Sequence, residues 1–483
     1  MSLKVLHAAS ECQPLAKTGG LADVVAALPA ALTAVGVEAR VCLPAYRGVK
    51  QQISDLAWVG GVNVLGQDFG VLEGSLPERG LKLWLIDCPH LYERPGDPYH
   101  DMHGRPWHDN PWRFGCFAQA VAQLARGCNG WKPDVVHLHD WQAALAAAWI
   151  EPLPGRPRLV FTIHNLAYQG LYSRDEFNAL QVPGYLWHMH GVEFWGGFSF
   201  MKAGINLCDA ITTVSPTYAR EILTPEFGHS LDGALRDRRS LLHGIVNGID
   251  AEAWNPATDL LLGSTYGNRN VVSGKNANKA ALKEELGLAP GEEPLLIFIG
   301  RFAEQKGADL ILAARGPLLE LPLQLAVLGT GDRQLERQFG EWAEAQPGRV
   351  ALRLRYDEGL AHRMTAAADL QLMPSRFEPC GLNQMYAQRY GTIPVVRRTG
   401  GLADTVTDAT AESLADGSAT GVHFQHADVG GVLHGVRRGL ELLADKTLRA
   451  RLRRTGMARD FSWTRSARQY EQLYTSLLNG GHT

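Results

Sequence analysis

The chain has 483 residues, of which 45% are apolar and 20% charged, with a formal net charge of −3. That length exceeds a single hydrophobic core and points to two domains, while the near-neutral balance gives no electrostatic footprint for nucleic acid or an anionic membrane. No apolar run approaches the ~20 residues of a membrane span, and seven scattered cysteines without a Cys-x-x-Cys pair argue against a disulfide framework or zinc knuckle, which favours a reducing, cytoplasmic setting.

From the start of the chain, short apolar strands alternate with helical segments, the pattern of parallel sheets covered on both faces. The opening Met1–His7 stretch reads as a strand rather than a signal peptide. Strands are expected at 4–9, 39–43, 81–87, 134–139, 159–164 and 210–214, and then at 295–300, 325–329, 351–355, 370–374 and 393–396. Leu21, Val24, Val25, Leu28, Leu32 and Val35 fall on one face of a helix over 21–35, and 276–286 and 309–319 read similarly. The turn-rich Val246-Asn247-Gly248-Ile249-Asp250 segment marks a domain boundary. The expected domains are therefore 1–245 and 246–460, with an amphipathic helix over 461–483 packing back on the first.

One pattern occurs twice. Lys17-Thr18-Gly19-Gly20-Leu21-Ala22-Asp23 recurs as Arg398-Thr399-Gly400-Gly401-Leu402-Ala403-Asp404. Each copy joins a cation, a flexible turn and a helix start, where backbone N–H groups and the helix dipole favour an anion. Arg301 and Lys306 follow the 295–300 strand, and ligands of open α/β sheets bind beyond the carboxyl ends of strands. Two cations there could neutralise a departing diphosphate without a metal ion. Gly329-Thr330-Gly331 reads as a tight turn. After the 370–374 strand, Pro379 and Gly381 force a turn into a helix over 382–389, with Glu378 at its entrance, suited to sugar hydroxyls or a cationic transition state. His137 and His139 share one strand face, a geometry that also fits metal ligation, but no supporting carboxylate cluster is visible. His139, Asp140 and Trp141 end one strand and His164 and Asn165 the next, residue types suited to carbohydrate. Neither a G-x-S-x-G elbow nor a P-loop is present.

These strings, with Val214-Ser215-Pro216-Thr217-Tyr218, resemble the bacterial glycogen synthases, kin of plant starch synthases, over essentially the whole chain. The resemblance implies a GT-B architecture: two Rossmann-like, doubly wound α/β domains facing a deep cleft. It implies ADP-glucose as donor, glycogen or a malto-oligosaccharide as acceptor, and no cofactor or metal. Arg301 and Lys306 correspond to diphosphate-binding cations, joined by Lys17 and the Gly19 and Gly20 amides. Glu378, His164, Asn247, Cys380 and Gly381 correspond to residues around the transferred glucose, with Leu382, Asn383, Thr399 and Gly400 completing the donor site. Tyr356 is the candidate to stack on adenine, and Asp140, Trp141, Tyr99 and His139 fall on the acceptor side. A second glutamate, common in the wider superfamily eight positions after the first, is replaced here by Tyr386.

The family reaction implies retention of configuration. A front-face substitution is expected, in which the departing diphosphate oxygen helps deprotonate the incoming 4-hydroxyl; double displacement through Glu378 or Asp140 is the alternative. The competing readings are a UDP-sugar transferase, an inactive glucan-binding scaffold, and a pyridoxal-dependent phosphorylase, for which the chain is short and lacks a recognisable cofactor-lysine segment.

Overall fold

The computed structural model describes residues 2–480, so the last three residues of the expected 461–483 helix lie outside it. The chain divides into two compact units, one up to Gly248 together with the segment from Trp463, the other Ile249–Ser462.

The first unit is built on β1 (Lys4–Ala8), β2 (Glu38–Pro44), β3 (Ala57–Val64), β4 (Gln67–Leu76), β5 (Leu81–Asp87), β6 (Val135–His139), β7 (Arg158–Ile163), β8 (Leu171–Tyr172), β9 (Glu193–Phe194), β10 (Gly197–Ser199), β11 (Ala210–Thr213) and β12 (Leu242–Gly244). Nine of these form one sheet in the order β12-β11-β7-β6-β1-β2-β5-β4-β3, and β8-β10-β9 form a small separate one. Pairing is parallel from β12 to β5 and antiparallel from β5 to β3. The β3–β4 hairpin has no counterpart among the expected strands, although Leu65 and Gly66 both take positive φ, as a two-residue type I′ turn requires. One sheet face packs Val5, Val135, Val160 and Ala210 against the helices Gly20–Ala34 and Trp463–Leu478. On the other face, Gly204 lets the helix Phe200–Leu207 come down on Phe161, whose ring would lie 2.6 Å from a Cβ at that position.

The second unit holds β13 (Leu295–Ile299), β14 (Gln324–Leu328), β15 (Val350–Arg353), β16 (Leu370–Met373), β17 (Ile393–Arg397) and β18 (Val422–Phe424), all parallel in the order β15-β14-β13-β16-β17-β18. The expected helix over 276–286 begins earlier, as Val271–Leu286, and ends on Gly287 in the left-handed conformation, which glycine adopts without a Cβ penalty. The expected helix over 309–319 is two helices, Ala308–Ala313 and Arg315–Leu319. Pro317 has no N–H for the carbonyl four residues back and its ring crowds that carbonyl, so the single helix is interrupted.

The parallel part of each sheet has one place where the strand order reverses: between β1 and β6 in the first, between β13 and β16 in the second. In doubly wound sheets that reversal opens a crevice beyond the strand carboxyl ends. Ser10–Glu11 follow β1 and Asp140 follows β6, while Arg301 follows β13 and Ser375–Glu378 follow β16.

Candidate active site

In the second unit, Gly307 takes φ +69, and a Cβ there would lie 2.3 Å from the carbonyl oxygen of Pro374. This close approach presses the loop after β13 onto the end of β16 and brings Lys306 to Glu378. Lys306 Nζ lies 2.9 and 2.6 Å from the two Glu378 carboxylate oxygens, and Ser375 Oγ donates to the same carboxylate at 3.0 Å. Glu378 is only 4% exposed, so it is a desolvated charge held by a cation and a hydroxyl, as buried charge demands. Arg301 is exposed at the mouth of the same loop. The β13–β16 reversal thus carries one cation, Lys306, against a buried carboxylate, with Arg301 exposed on the same loop.

The two Gly-Gly copies do different work. Gly400 takes φ +43, and a Cβ there would meet the carbonyl oxygen of Glu378 at 1.9 Å. Gly401 N–H donates to that oxygen at 3.0 Å, and Thr399 is buried. The second copy therefore buttresses the Glu378 backbone. A Cβ added at Gly19 or Gly20 would meet nothing within 4 Å, and the first copy is organised by Glu11. That carboxylate accepts from Thr18 N at 2.6 Å, Thr18 Oγ1 at 2.7 Å and Gly19 N at 3.0 Å. The Gly19 amide, expected to face a phosphate, is thus occupied by an internal anion. Lys17 pairs with Asp23 at 2.8 Å.

Gly381 (φ +70) makes the turn after Cys380; Leu382 caps the helix Asn383–Arg389, and Asn383 Nδ2 donates to Ile299 O at 2.9 Å, tying that helix start to the end of β13. Gly329 and Gly331 let the turn after β14 pack on Gly300 and Phe302 backbone, consistent with a tight turn. Tyr356, just after β15, is 79% exposed. Tyr386, in place of a second carboxylate, stacks on Trp254 with ring centroids 3.7 Å apart.

In the first unit, Asp140 takes φ +54 and accepts from the backbone N–H of His164 at 2.8 Å and of Asn165 at 3.3 Å. Burial raises its carboxyl to about 7. It thereby shapes the turn carrying His164. Trp141 sits in a ring cluster with Phe114, Tyr172 and Phe200. Tyr99 OH donates to Glu11 at 2.5 Å and contacts Ser10 Oγ at 2.7 Å, so its hydroxyl is committed to the Lys17 loop rather than to a glucan. Asn247 is buried, and its Oδ1 is a buried acceptor without a hydrogen-bond partner.

His139 corrects an expectation. It is fully buried, with Nε2 3.0 Å from His7 Nδ1 and Nδ1 3.0 Å from His164 Nε2, so no ring nitrogen is left for an acceptor sugar. His7, His137 and His139 bring ligand atoms within 4.8 Å of one another, but His137 is also engaged, with Tyr474 OH at 2.7 Å and Thr162 Oγ1 at 2.5 Å. Glu11 and His7 escaped the sequence reading. The available signals were a carboxylate six residues before Lys17 and a histidine in the strand destined to lie beside His137.

Two doubly wound α/β units define the GT-B class of fold, that of a large group of glycosyltransferases. Similarity to known proteins agrees. Residues 4–237 match the family described as "Starch synthase catalytic domain" and residues 279–458 "Glycosyl transferases group 1". The chain is 47% identical to glycogen synthase 1 of Methylococcus capsulatus, over 99% of this chain and 97% of that one. It is 48% identical to glycogen synthase of Thioalkalivibrio sulfidiphilus, over 99% of this chain and 100% of that one. Among solved structures, the catalytic domain of starch synthase IV from Arabidopsis thaliana, bound to ADP and acarbose, superposes with a TM-score of 0.89 at 36% identity, covering 99% of this chain and 100% of that one. Sucrose-phosphate synthase from Thermosynechococcus elongatus shares the fold, with a TM-score of 0.60 at 19% identity, over 99% of this chain and 100% of that one. The chain belongs to the glycogen synthase family. Among the described residues, no helix is long and apolar enough to cross a membrane.

Proposed function

We propose that this enzyme transfers glucose from ADP-glucose to the non-reducing end of an α-1,4-glucan, with retention of configuration, and so elongates glycogen. The observation that carries the reading is Lys306 held against buried Glu378 beside Arg301: cations for a departing diphosphate, and a carboxylate for the sugar. The starch synthase holding ADP supports adenine nucleotide as the donor's base, with exposed Tyr356 as its stacking partner. Asn247, Cys380, Gly381, Leu382, Asn383, Thr399 and Gly400 are assigned to the donor site. Lys17 and Gly20 are assigned to the diphosphate, and Asp140 and Trp141 to the acceptor. Seven free cysteines support a reducing, cytoplasmic setting.

The chemistry needs stabilisation of the leaving diphosphate and of positive charge at the anomeric carbon. Preorganised cations act on the first, at no reorganisation cost during reaction; Glu378 acts on the second. The departing diphosphate oxygen takes the proton of the incoming 4-hydroxyl as the new bond forms on the same face.

The test is nucleotide release from ADP-glucose and from UDP-glucose, each with and without glycogen. Glycogen-dependent ADP release that disappears in Glu378→Ala is the expected result. Release only from UDP-glucose would overturn the donor assignment, and release from neither would make the chain a glucan-binding scaffold. A covalent glucosyl-enzyme trapped on Glu378 or Asp140 would replace the front-face route by double displacement.

A further inference from the structure

Under the Trp463–Leu478 helix, the first sheet carries a strip of polar side chains where apolar ones are the rule. His7 on β1 and His137 on β6 are paired across the ladder, and His139 on β6 pairs with Thr162 on β7. His164 follows two residues after Thr162. All of His7, His137, His139 and Thr162 are fully buried. Four imidazoles in such a place need an account, because a buried polar group without a partner costs free energy.

Metal binding would be one account, and the hydrogen bonds weigh against it. Both ring nitrogens of His137 and both of His139 are already engaged. Among the ring nitrogens of His7, His137 and His139, His7 Nε2 alone is without a partner, so a metal would have to displace bonds already made. Burial also keeps all four rings neutral near pH 7, with His7 pushed down to about 3.

Neutral imidazoles have one donor and one acceptor nitrogen each, so a row of three can run in only two directions. In one, His164 Nε2–H donates to His139 Nδ1, and His139 Nε2–H donates to His7 Nδ1. The row then ends on a His7 Nε2–H that is buried and unpaired. In the other, His7 Nδ1–H donates to His139 Nε2, and His139 Nδ1–H donates to His164 Nε2. The row then ends on a buried His7 lone pair, and orphaned buried N–H groups are rarer than under-satisfied acceptors. In this second direction His164 carries its proton on Nδ1. That nitrogen has no protein partner among the described residues and is open to a ligand.

We propose that His7 and His139 are positioning residues that hold His164 as its Nδ1–H tautomer, so that His164 offers the bound substrate a hydrogen-bond donor and cannot serve as the base for the incoming hydroxyl. The partner would be an acceptor oxygen of the sugar or of the diphosphate. This rests on the reading of His164 as part of the glucosyl-transfer site. Fixing a catalytic imidazole's tautomer from behind is an established use of a buried partner. Here two further histidines fill that place, which is otherwise taken by a carboxylate or a carbonyl.

The test uses the full chain labelled with ¹⁵N in its histidine rings. Two-bond ¹H–¹⁵N correlations report which nitrogen carries the proton, and His164 is assigned by its loss in His164→Asn. The wild type is expected to show His164 as Nδ1–H. His7→Leu, which removes the donor that sets the direction, is expected to show both tautomers at His164 and a kcat lower by about 10- to 100-fold. His7→Asn, whose amide can supply the same donor, is expected to restore both readouts. A wild-type His164 protonated on Nε2 would overturn the relay, whether or not His7→Leu folds, and so would a folded His7→Leu that keeps the Nδ1–H signature. An Nδ1–H wild type with no glucosyl transfer would support the relay and count against the proposed reaction instead.

Discussion

Lys306 Nζ sits between the two carboxylate oxygens of Glu378, at 2.9 and 2.6 Å, and the lysine is the more exposed of the two. Lys306→Ala removes one preorganised cation, and kcat is expected to fall by about 10²–10³-fold. It also strands a buried carboxylate whose remaining side-chain donor among the described residues is Ser375, so the second unit should melt at lower temperature as well. Lys306→Arg keeps the charge and should recover most of the melting temperature. Unchanged stability in Lys306→Ala would mean that the pair does not hold Glu378 in place.

The two Gly-Gly copies should respond oppositely to a methyl group. Gly400→Ala places a Cβ 1.9 Å from the Glu378 carbonyl oxygen at positive φ, and it is expected to abolish activity and lower the melting temperature. Gly19→Ala meets nothing within 4 Å and should leave stability within about 0.5 kcal/mol of wild type. Thermal melts of both variants decide the matter, since equal losses would contradict the structural difference between the loops.

Glu11 holds the Lys17 loop through the Thr18 and Gly19 amides. Glu11→Ala frees those amides, and displacing a positioning loop by about 1 Å can cost 10²-fold in rate. A loss of about that size is expected in kcat/KM, with amide exchange at Thr18 and Gly19 becoming fast. Full activity with unprotected amides would show that the loop's order is irrelevant to turnover.

Lys275 is buried and donates to the carbonyl oxygens of Ala366 at 2.7 Å and Tyr390 at 3.2 Å, and to Thr392 Oγ1 at 2.7 Å. Burial holds its pKa well below that of an ordinary lysine. It closes the ends of the helices Glu358–Ala367 and Asn383–Arg389. Lys275→Met removes a buried donor from those carbonyls, which keep Tyr266 OH as a partner, at about 1–3 kcal/mol, and denaturant titration would register an earlier transition of the second unit.

The histidine strip makes stability depend on pH. His7, His137 and His139 are neutral when folded because burial lowers their pKa values. On unfolding each returns to about 6.5 and takes up a proton below that pH, so acid favours the unfolded chain. Their contribution is complete above about pH 6.5 and is lost as pH falls toward the folded-state values, at about 1.4 kcal/mol per pH unit for each histidine. Denaturation midpoints at pH 8, 7.5 and 5.5 should be similar for the first two and lower for the third. His7→Asn should shallow that decline by about one proton.

The alternation of strands and helices and the placement of Arg301, Lys306, Glu378, Asp140 and His164 at strand ends followed from local pattern, because short apolar runs, glycine turns and helix starts are encoded residue by residue. The break at Ala314 was missed by the expected single helix over 309–319, although its cause, Pro317, is local. By contrast, the equivalence suggested by Lys17–Asp23 and Arg398–Asp404 holds in letters and not in space. Gly400 is packed on Glu378 and Gly19 stands in an open loop tied to Glu11, and no local pattern says which backbone a glycine will meet. His139 makes the same point. Alternation put it on one face of its strand with His137, but only the pairing of β1, β6 and β7 set His7 and His164 on either side of it. Sequence by itself therefore determined the class of fold, the family and the stretches of chain that carry the chemistry. Tertiary structure decided which polar groups are turned toward a ligand and which are spent on one another, because hydrogen-bond partners distant in sequence are chosen by sheet order and burial.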